Sequence, residues 1–204
     1  MDVKMLNQEE KDVLQEMVNI SFGSATAIIA DMMNAFANLA VPSVEIIDAQ
    51  DLFEIITNKL DPNEKYFLVT QTYMGSFEGE TIFLIDYDSA FNLAGKFDEI
   101  VLEENISDIT LELTNILTSS FIRNFAELMG VKVRFSPPSI ELVNMDSIIR
   151  NQEIQNNYSK VIVISTLLEF KEENIKGFLF ILMKEESFQL LKEKINSMLE
   201  QYNE

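Results

Sequence analysis

Two sets of residues in this 204-residue chain share one spacing. Asp12, Glu16 and Asn19 are followed by Pro42, 23 positions after the amide; Asp108, Glu112 and Asn115 are followed by Pro138 at the same distance. The sets map onto each other at an offset of 96 residues. From ordinary residue usage, one such pattern, Asp-x3-Glu-x2-Asn-x22-Pro, has a chance of roughly 1 in 10⁴–10⁵ per position. The chain has no His and no Cys. That excludes Ser-His-Asp and Cys-His nucleophile machinery and the usual zinc ligand sets. What remains is acceptor-only carboxylates beside an amide that both donates and accepts. Such a pair suits the docking of another protein's surface.

The spacing becomes informative on a helix. At about 100° per residue, with Asp12 at zero, Glu16 falls near +40° and Asn19 near −20°. The three share one narrow stripe, and Asp108, Glu112 and Asn115 do the same. Leu14, Met17, Val18, Ala25, Ile28 and Met32 are expected to face the core from the opposite side. Leu113, Leu117, Phe121 and Leu128 are expected to do so in the second copy. Further along each polar stripe the residues are small: Gly23 and Ala30, then Ser119 and Ala126. Gly23 and Ser119 are therefore candidate partner contacts, with helix–helix packing as the other reading.

The elements that must position these stripes also repeat. Residues 8–38 read as a long helix, bent near Gly23 and ended by Val41-Pro42. A strand over 43–47 and a short helix over 51–59 follow. Two β-rich runs, 66–74 and 81–87, flank Gly75, Ser76 and Gly79 as a hairpin; 89–97 is a further helix. The order then recurs: a long helix over 107–129, extended segments 131–135 and 140–143 around Pro137-Pro138, and a helix over 145–153. A β pair (160–168, 177–183) and a closing helix over 185–199 complete it. Self-similarity at one offset is a duplicated unit. The expected fold is α+β, a pseudo-twofold duplicated unit with the long motif helices packed on an antiparallel sheet. Residues 1–204 are expected to form one domain of two halves, about 1–100 and 101–204, because each half alone is marginal for a core.

Composition narrows the partners. Acidic residues number 34 against 15 basic, a net charge of −19, which repels nucleic acid and anionic membrane surfaces. Apolar residues make up 47% of the chain, enough for a core, and most of the ten Met and fifteen Phe are expected there. The acidic runs at Asp98, Glu99, Glu103 and Glu104 and at Glu169, Glu172 and Glu173 read as solvated connections, not as metal sites. Met1-Asp2-Val3-Lys4 lacks the features of a signal peptide. No apolar stretch is expected to span a bilayer, since Asp31 and Asn34 interrupt the best candidate. The expected location is cytoplasmic and the expected state monomeric.

With both motif copies complete, the chain resembles the CheC/CheX family of chemotaxis phosphatases, whose motif is Asp/Ser-x3-Glu-x2-Asn-x22-Pro. It is closer to the two-site CheC proteins, over nearly its whole length and in element order. Where many CheC proteins carry Gly-x-Gly after the Asn-Ile pair, this chain has Ser21-Phe22-Gly23 and Leu117-Thr118-Ser119. The resemblance implies a phosphatase acting on the aspartyl phosphate of a CheY-type response regulator. The partner would carry the Mg²⁺, and the chain would need no cofactor of its own. It implies that Asn19 and Asn115 hold the attacking water, that Glu16 and Glu112 pair with a Lys of the regulator, and that Asp12 and Asp108 extend the polar contact. It also implies a second partner, the CheD deamidase. The alternative is a non-catalytic module that binds phosphorylated CheY, related to the flagellar switch proteins.

Overall fold

The computed structural model describes residues 6–97, 101–150 and 160–202. Helix α1 (Gln8–Met33) starts at a capping box: Asn7 Oδ1 accepts from the Glu10 N–H (2.9 Å), and the Asn7 N–H donates to Glu10 Oε2 (2.7 Å). It ends before residue 38, the expected stop, because Asn34 turns left-handed (φ 49°). The Asn34 N–H then donates to Asp31 O (3.2 Å) and the Ala35 N–H to Ala30 O (3.0 Å). Helix α4 (Glu103–Leu128) stops by the same device at Gly130 (φ 65°). There the Gly130 N–H reaches Glu127 O and the Val131 N–H reaches Ala126 O, both at 2.9 Å. This is the paired-bond C-terminal motif that Gly and Asn favour, and 34 and 130 again differ by 96.

The remaining elements are β1 (Asn38–Leu39), β2 (Ser43–Asp48), α2 (Leu52–Thr57), β3 (Lys65–Gly75), β4 (Gly79–Asp86), α3 (Tyr87–Ala94), β5 (Val133–Phe135), β6 (Ser139–Asn144), α5 (Met145–Arg150), β7 (Lys160–Phe170), β8 (Ile175–Lys184) and α6 (Glu185–Tyr202). The tail of the helix expected over 145–153 lies outside the described residues, as do Asp98 and Glu99. All eight strands form one antiparallel sheet in the order β1-β7-β8-β4-β3-β5, with β2 also on β7 and β6 also on β3. Strand β2 of the first half thus pairs with the second hairpin, and β6 of the second half pairs with the first. Each half lends the other an edge strand.

The two faces of the sheet bury different side chains, as the twofold alternation of a strand requires. Phe67, Val69 and Tyr73 of β3, Phe83 and Ile85 of β4, and Ile162 and Ile164 of β7 share a core with α1, α3, α4 and α6. Tyr66, Leu68, Ile82, Leu84, Val161 and Val163 pack the opposite face under α2 and α5. Helix α1, which runs through Asp31, is long and apolar enough to cross a membrane by length and composition, but Leu14, Met17, Val18, Phe22, Ala25 and Ile29 are buried in the shared core.

The start of α1 is anchored by a buried charge. Glu10 is 3% exposed, and its Oε2 lies 3.5 Å from Lys192 Nζ of α6. Burial pushes its carboxyl up. The Asn7 N–H, the Lys192 ammonium and Asn196 together outweigh that and leave it below the ordinary carboxylate value. A lowered folded value stabilises the protein above the unfolded pKa of about 4.3, and the contribution disappears as pH falls through the folded value. Glu10→Gln is therefore expected to cost about 1–3 kcal/mol at neutral pH. Thermal unfolding followed against pH should show the gap between variant and wild type closing below about pH 4.

Candidate functional site

Helices α1 and α4 lie side by side on one face of the sheet, with the Phe22 and Phe121 rings edge to face at 6.4 Å. Their buried residues come from the side opposite the motifs: Leu14, Met17, Val18 and Ala25 in α1, Leu113, Leu117 and Phe121 in α4. Asp12, Glu16, Asn19, Asp108 and Glu112 are exposed; Asn115, Gly23 and Ser119 are half-buried. The acids of both stripes and Asn19 therefore face solvent, while Asn115 lies at the half-buried edge of α4.

Three positions depart from the wheel. Ile28 (42% exposed) and Met32 (46%) face out instead of into the core, and Ala126 on the polar stripe is buried. In α1 the inward side drifts from Leu14 toward Ile29 and Met33, because an ideal helix turns past a fixed seam as it lengthens. Leu128 is only half-buried. The result is unequal surroundings. Beyond Asn19, α1 exposes Ile20, Ala27, Ile28 and Met32; the corresponding α4 residues are Ile116, Arg123, Asn124 and Leu128, of which Arg123 alone is exposed and the others are half-buried.

The acidic groups are largely uncommitted. Neither Glu16 nor Glu112 has a hydrogen bond or ion pair among the described residues. Asp12 Oδ1 accepts from Gln8 Nε2 (2.8 Å), one turn earlier. Pro42 and Pro138 stand immediately before β2 and β6, so they set the strand entry, as their position after a loop suggests. Gln15 Nε2 approaches Pro42 O at 3.5 Å and ties that entry loosely to α1. Among the described residues no group of three or more acidic side chains is arranged to hold a metal ion.

The amides differ. Asn19 has no side-chain hydrogen bond among the described residues, whereas Asn115 Oδ1 accepts from Gln71 Nε2 at 2.8 Å. Gln71 was not among the residues the spacing singled out. Its signal in the sequence is a Gln in phase with Val69 and Tyr73, where a strand should bury an apolar side chain.

Gly23 separates two readings of the small residues. A Cβ built there meets nothing within 4 Å, so Gly23 is not a point of close helix packing and its surface is open. Gly23→Ala is expected to raise stability by about 1 kcal/mol through helix propensity alone, or about 2–4 °C in Tm. A drop in Tm would show that the glycine is needed by the fold.

The CheC-like family model matches residues 108–142, from the second Asp of the motif into β6. The chain is 24% identical over 198 residues to the CheY-P phosphatase CheC of Bacillus subtilis (strain 168), covering 91% of this chain and 93% of that protein. It is 24% identical over 151 residues to the flagellar motor switch phosphatase FliY of the same organism; the match takes in 71% of this chain but only 38% of FliY's length. The crystal structure of Thermotoga maritima FliY superposes with a TM-score of 0.72 at 20% identity, over 95% of this chain and 98% of that one, which establishes a shared fold.

Proposed function

The resemblance to the CheC/CheX family of chemotaxis phosphatases is borne out by sequence and fold together, and from that premise we propose that the chain hydrolyses the aspartyl phosphate of a CheY-type response regulator. The observation that carries the proposal is the pair of Glu-x2-Asn stripes, Glu16 with Asn19 and Glu112 with Asn115, whose carboxylates are exposed and have no bond among the described residues. That each half presents such a pair at one offset fits a two-site enzyme.

Hydrolysis of an acyl phosphate passes through a loose transition state with little need for a strong base. The catalytic demand is a water held in line with the breaking P–O bond. A carboxamide can accept a hydrogen bond from that water and donate one to a neighbouring oxygen. Asn19 and Asn115 are assigned this role, and the chain's lack of His is then no handicap. Glu16 and Glu112, one turn before each amide, are assigned to a Lys beside the regulator's phosphate; a charge-assisted bond there fixes the register of the amide. Asp12 and Asp108 extend the polar contact toward the helix start. Gly23 and Ser119 keep the strip beyond low enough for a partner's surface. Mg²⁺ is expected on the regulator, where it would offset charge on the phosphoryl oxygens.

The test is the decay of a phosphorylated CheY-type regulator with and without this protein. Acceleration at substoichiometric protein supports the enzyme. Binding without acceleration would replace it by the non-catalytic module related to the flagellar switch proteins. The open surface at Gly23 adds a docking arm: Gly23→Gln should leave Tm within a few degrees while weakening the regulator's binding about tenfold or more.

A further inference from the structure

We propose that Gln71 is a positioning residue that grips the Asn115 carboxamide by its oxygen and makes the two motif sites unequal. The inference rests on the reading of Asn115 as the water-holding group.

Gln71 sits in the middle of β3, 5% exposed, with its side chain among the core residues beneath α4. A buried amide has to find partners for its polar atoms, and this one does. Its Nε2 donates to Ser136 O (3.0 Å) and to Asn115 Oδ1 (2.8 Å), and its Oε1 accepts from Thr118 Oγ1 (2.9 Å). The carbonyl of Ser136 can only accept, so the end of Gln71 that faces it must be the NH₂ group. That same nitrogen faces Asn115, and two NH₂ groups cannot pair, so Asn115 must turn its oxygen inward. A backbone carbonyl thereby dictates, through one side chain, which end of Asn115 faces out. Asn115 offers the partner its two Nδ2 protons and the free lone pair of Oδ1, in one held orientation.

The first site lacks the grip, and the sheet register shows why. Ser43 pairs with Ser165 across β2 and β7, hydroxyl to hydroxyl at 2.7 Å; Ser139 pairs with Thr70 across β6 and β3 in the same way at 2.8 Å. This equates Thr70 with Ser165, and the next residue, Gln71, with Thr166. Thr166 Oγ1 donates to Ala40 O (3.1 Å), and Ala40 is the counterpart of Ser136 at the offset of 96. Thr166 therefore satisfies the equivalent carbonyl with a side chain too short to go on to Asn19. Phe22 occupies the place of Thr118, so no hydroxyl is available there either. Asn19 has to give up its rotational freedom when the partner docks, while Asn115 has already done so.

Gln71→Thr isolates the effect, since Thr166 demonstrates that Thr at this position can still serve the carbonyl. In an Asn19→Ala background, where only the second site can act, Gln71→Thr is expected to lower kcat for a CheY-type regulator phosphorylated with acetyl phosphate by about three- to tenfold, with KM unchanged. In an Asn115→Ala background it should leave the rate as it was. A merely structural role would depress both backgrounds alike, and that result would overturn the proposal, as would an unchanged kcat in the first background. Nitrogen-15 relaxation of the side-chain amides supplies a readout independent of turnover and of how well the variant folds. In the wild type the Asn115 amide should be ordered and the Asn19 amide mobile; equal mobility would overturn the grip. If the wild type fails to accelerate decay at all, the phosphatase reading fails, and the relaxation result still decides whether Gln71 holds Asn115.

Discussion

Asn19→Ala combined with Asn115→Ala is expected to reduce the protein's acceleration of phosphate decay by about 10²–10³-fold, equivalent to about 3–4 kcal/mol in the transition state. Asn19 lies on the exposed side of α1 and Asn115 at the half-buried edge of α4, so the loss should be chiefly chemical. Asn19 has no side-chain bond to lose among the described residues. Asn115 gives up its contact with Gln71, which leaves one N–H of a buried amide unpaired and costs about 1–3 kcal/mol of stability. The double variant should therefore still unfold cooperatively and still bind the phosphorylated regulator with an affinity within a few-fold of wild type. The assay is single-turnover decay at saturating protein, which separates the chemical step from binding. Decay at the wild-type rate would remove the amides from the mechanism.

Charge reversal at the acids, Glu16→Lys with Glu112→Lys, should act on the other half of the interaction. Both carboxylates are exposed and without a partner among the described residues, so neither substitution breaks a bond inside the fold. Stability should stay within about 0.5 kcal/mol, as for ordinary surface changes. Against a Lys on the regulator, each reversal turns an attraction into a repulsion in a closing interface. Truncating a partner of such a pair costs about 2–5 kcal/mol, so Kd is expected to rise at least about thirtyfold. Titration of the phosphorylated regulator by fluorescence or calorimetry measures this. Wild-type binding should weaken with added salt while the variant's responds less, because screening acts on the pair that was removed. Unchanged affinity would mean that the acids face solvent in the complex too.

Much of this protein was legible from residue order. The repeat at an offset of 96 located both motif helices and both prolines, because a duplicated unit is visible wherever the same residue types recur in register; the first strands of the two β pairs recur one residue short of it, as Thr70 and Ser165 show. The same offset relates the helix stops at Asn34 and Gly130, although reading residues 8–38 as one helix missed Asn34. Nothing local marks a left-handed Asn as a stop until its N–H is seen bonding back to the helix. Apolar periodicity placed Leu14, Met17, Leu113 and Phe121 correctly. It failed at Ile28, Met32 and Ala126, because a wheel assumes a straight seam and the core seen by a helix of this length is not straight.

The order of residues alone determined that each half carries an acid–amide pair on one stripe of a helix, since a spacing of three to four residues fixes a shared side whatever the helix packs against. Tertiary structure alone decided that the halves exchange β2 and β6, and that a glutamine from one half's strand reaches the amide on the other half's helix. Strand pairing depends on contacts between residues far apart in the chain, which no local pattern encodes. The difference between a gripped Asn115 and a free Asn19 lies in one side chain of β3 long enough to satisfy a backbone carbonyl and an amide at once, where its counterpart in β7 can satisfy only the carbonyl.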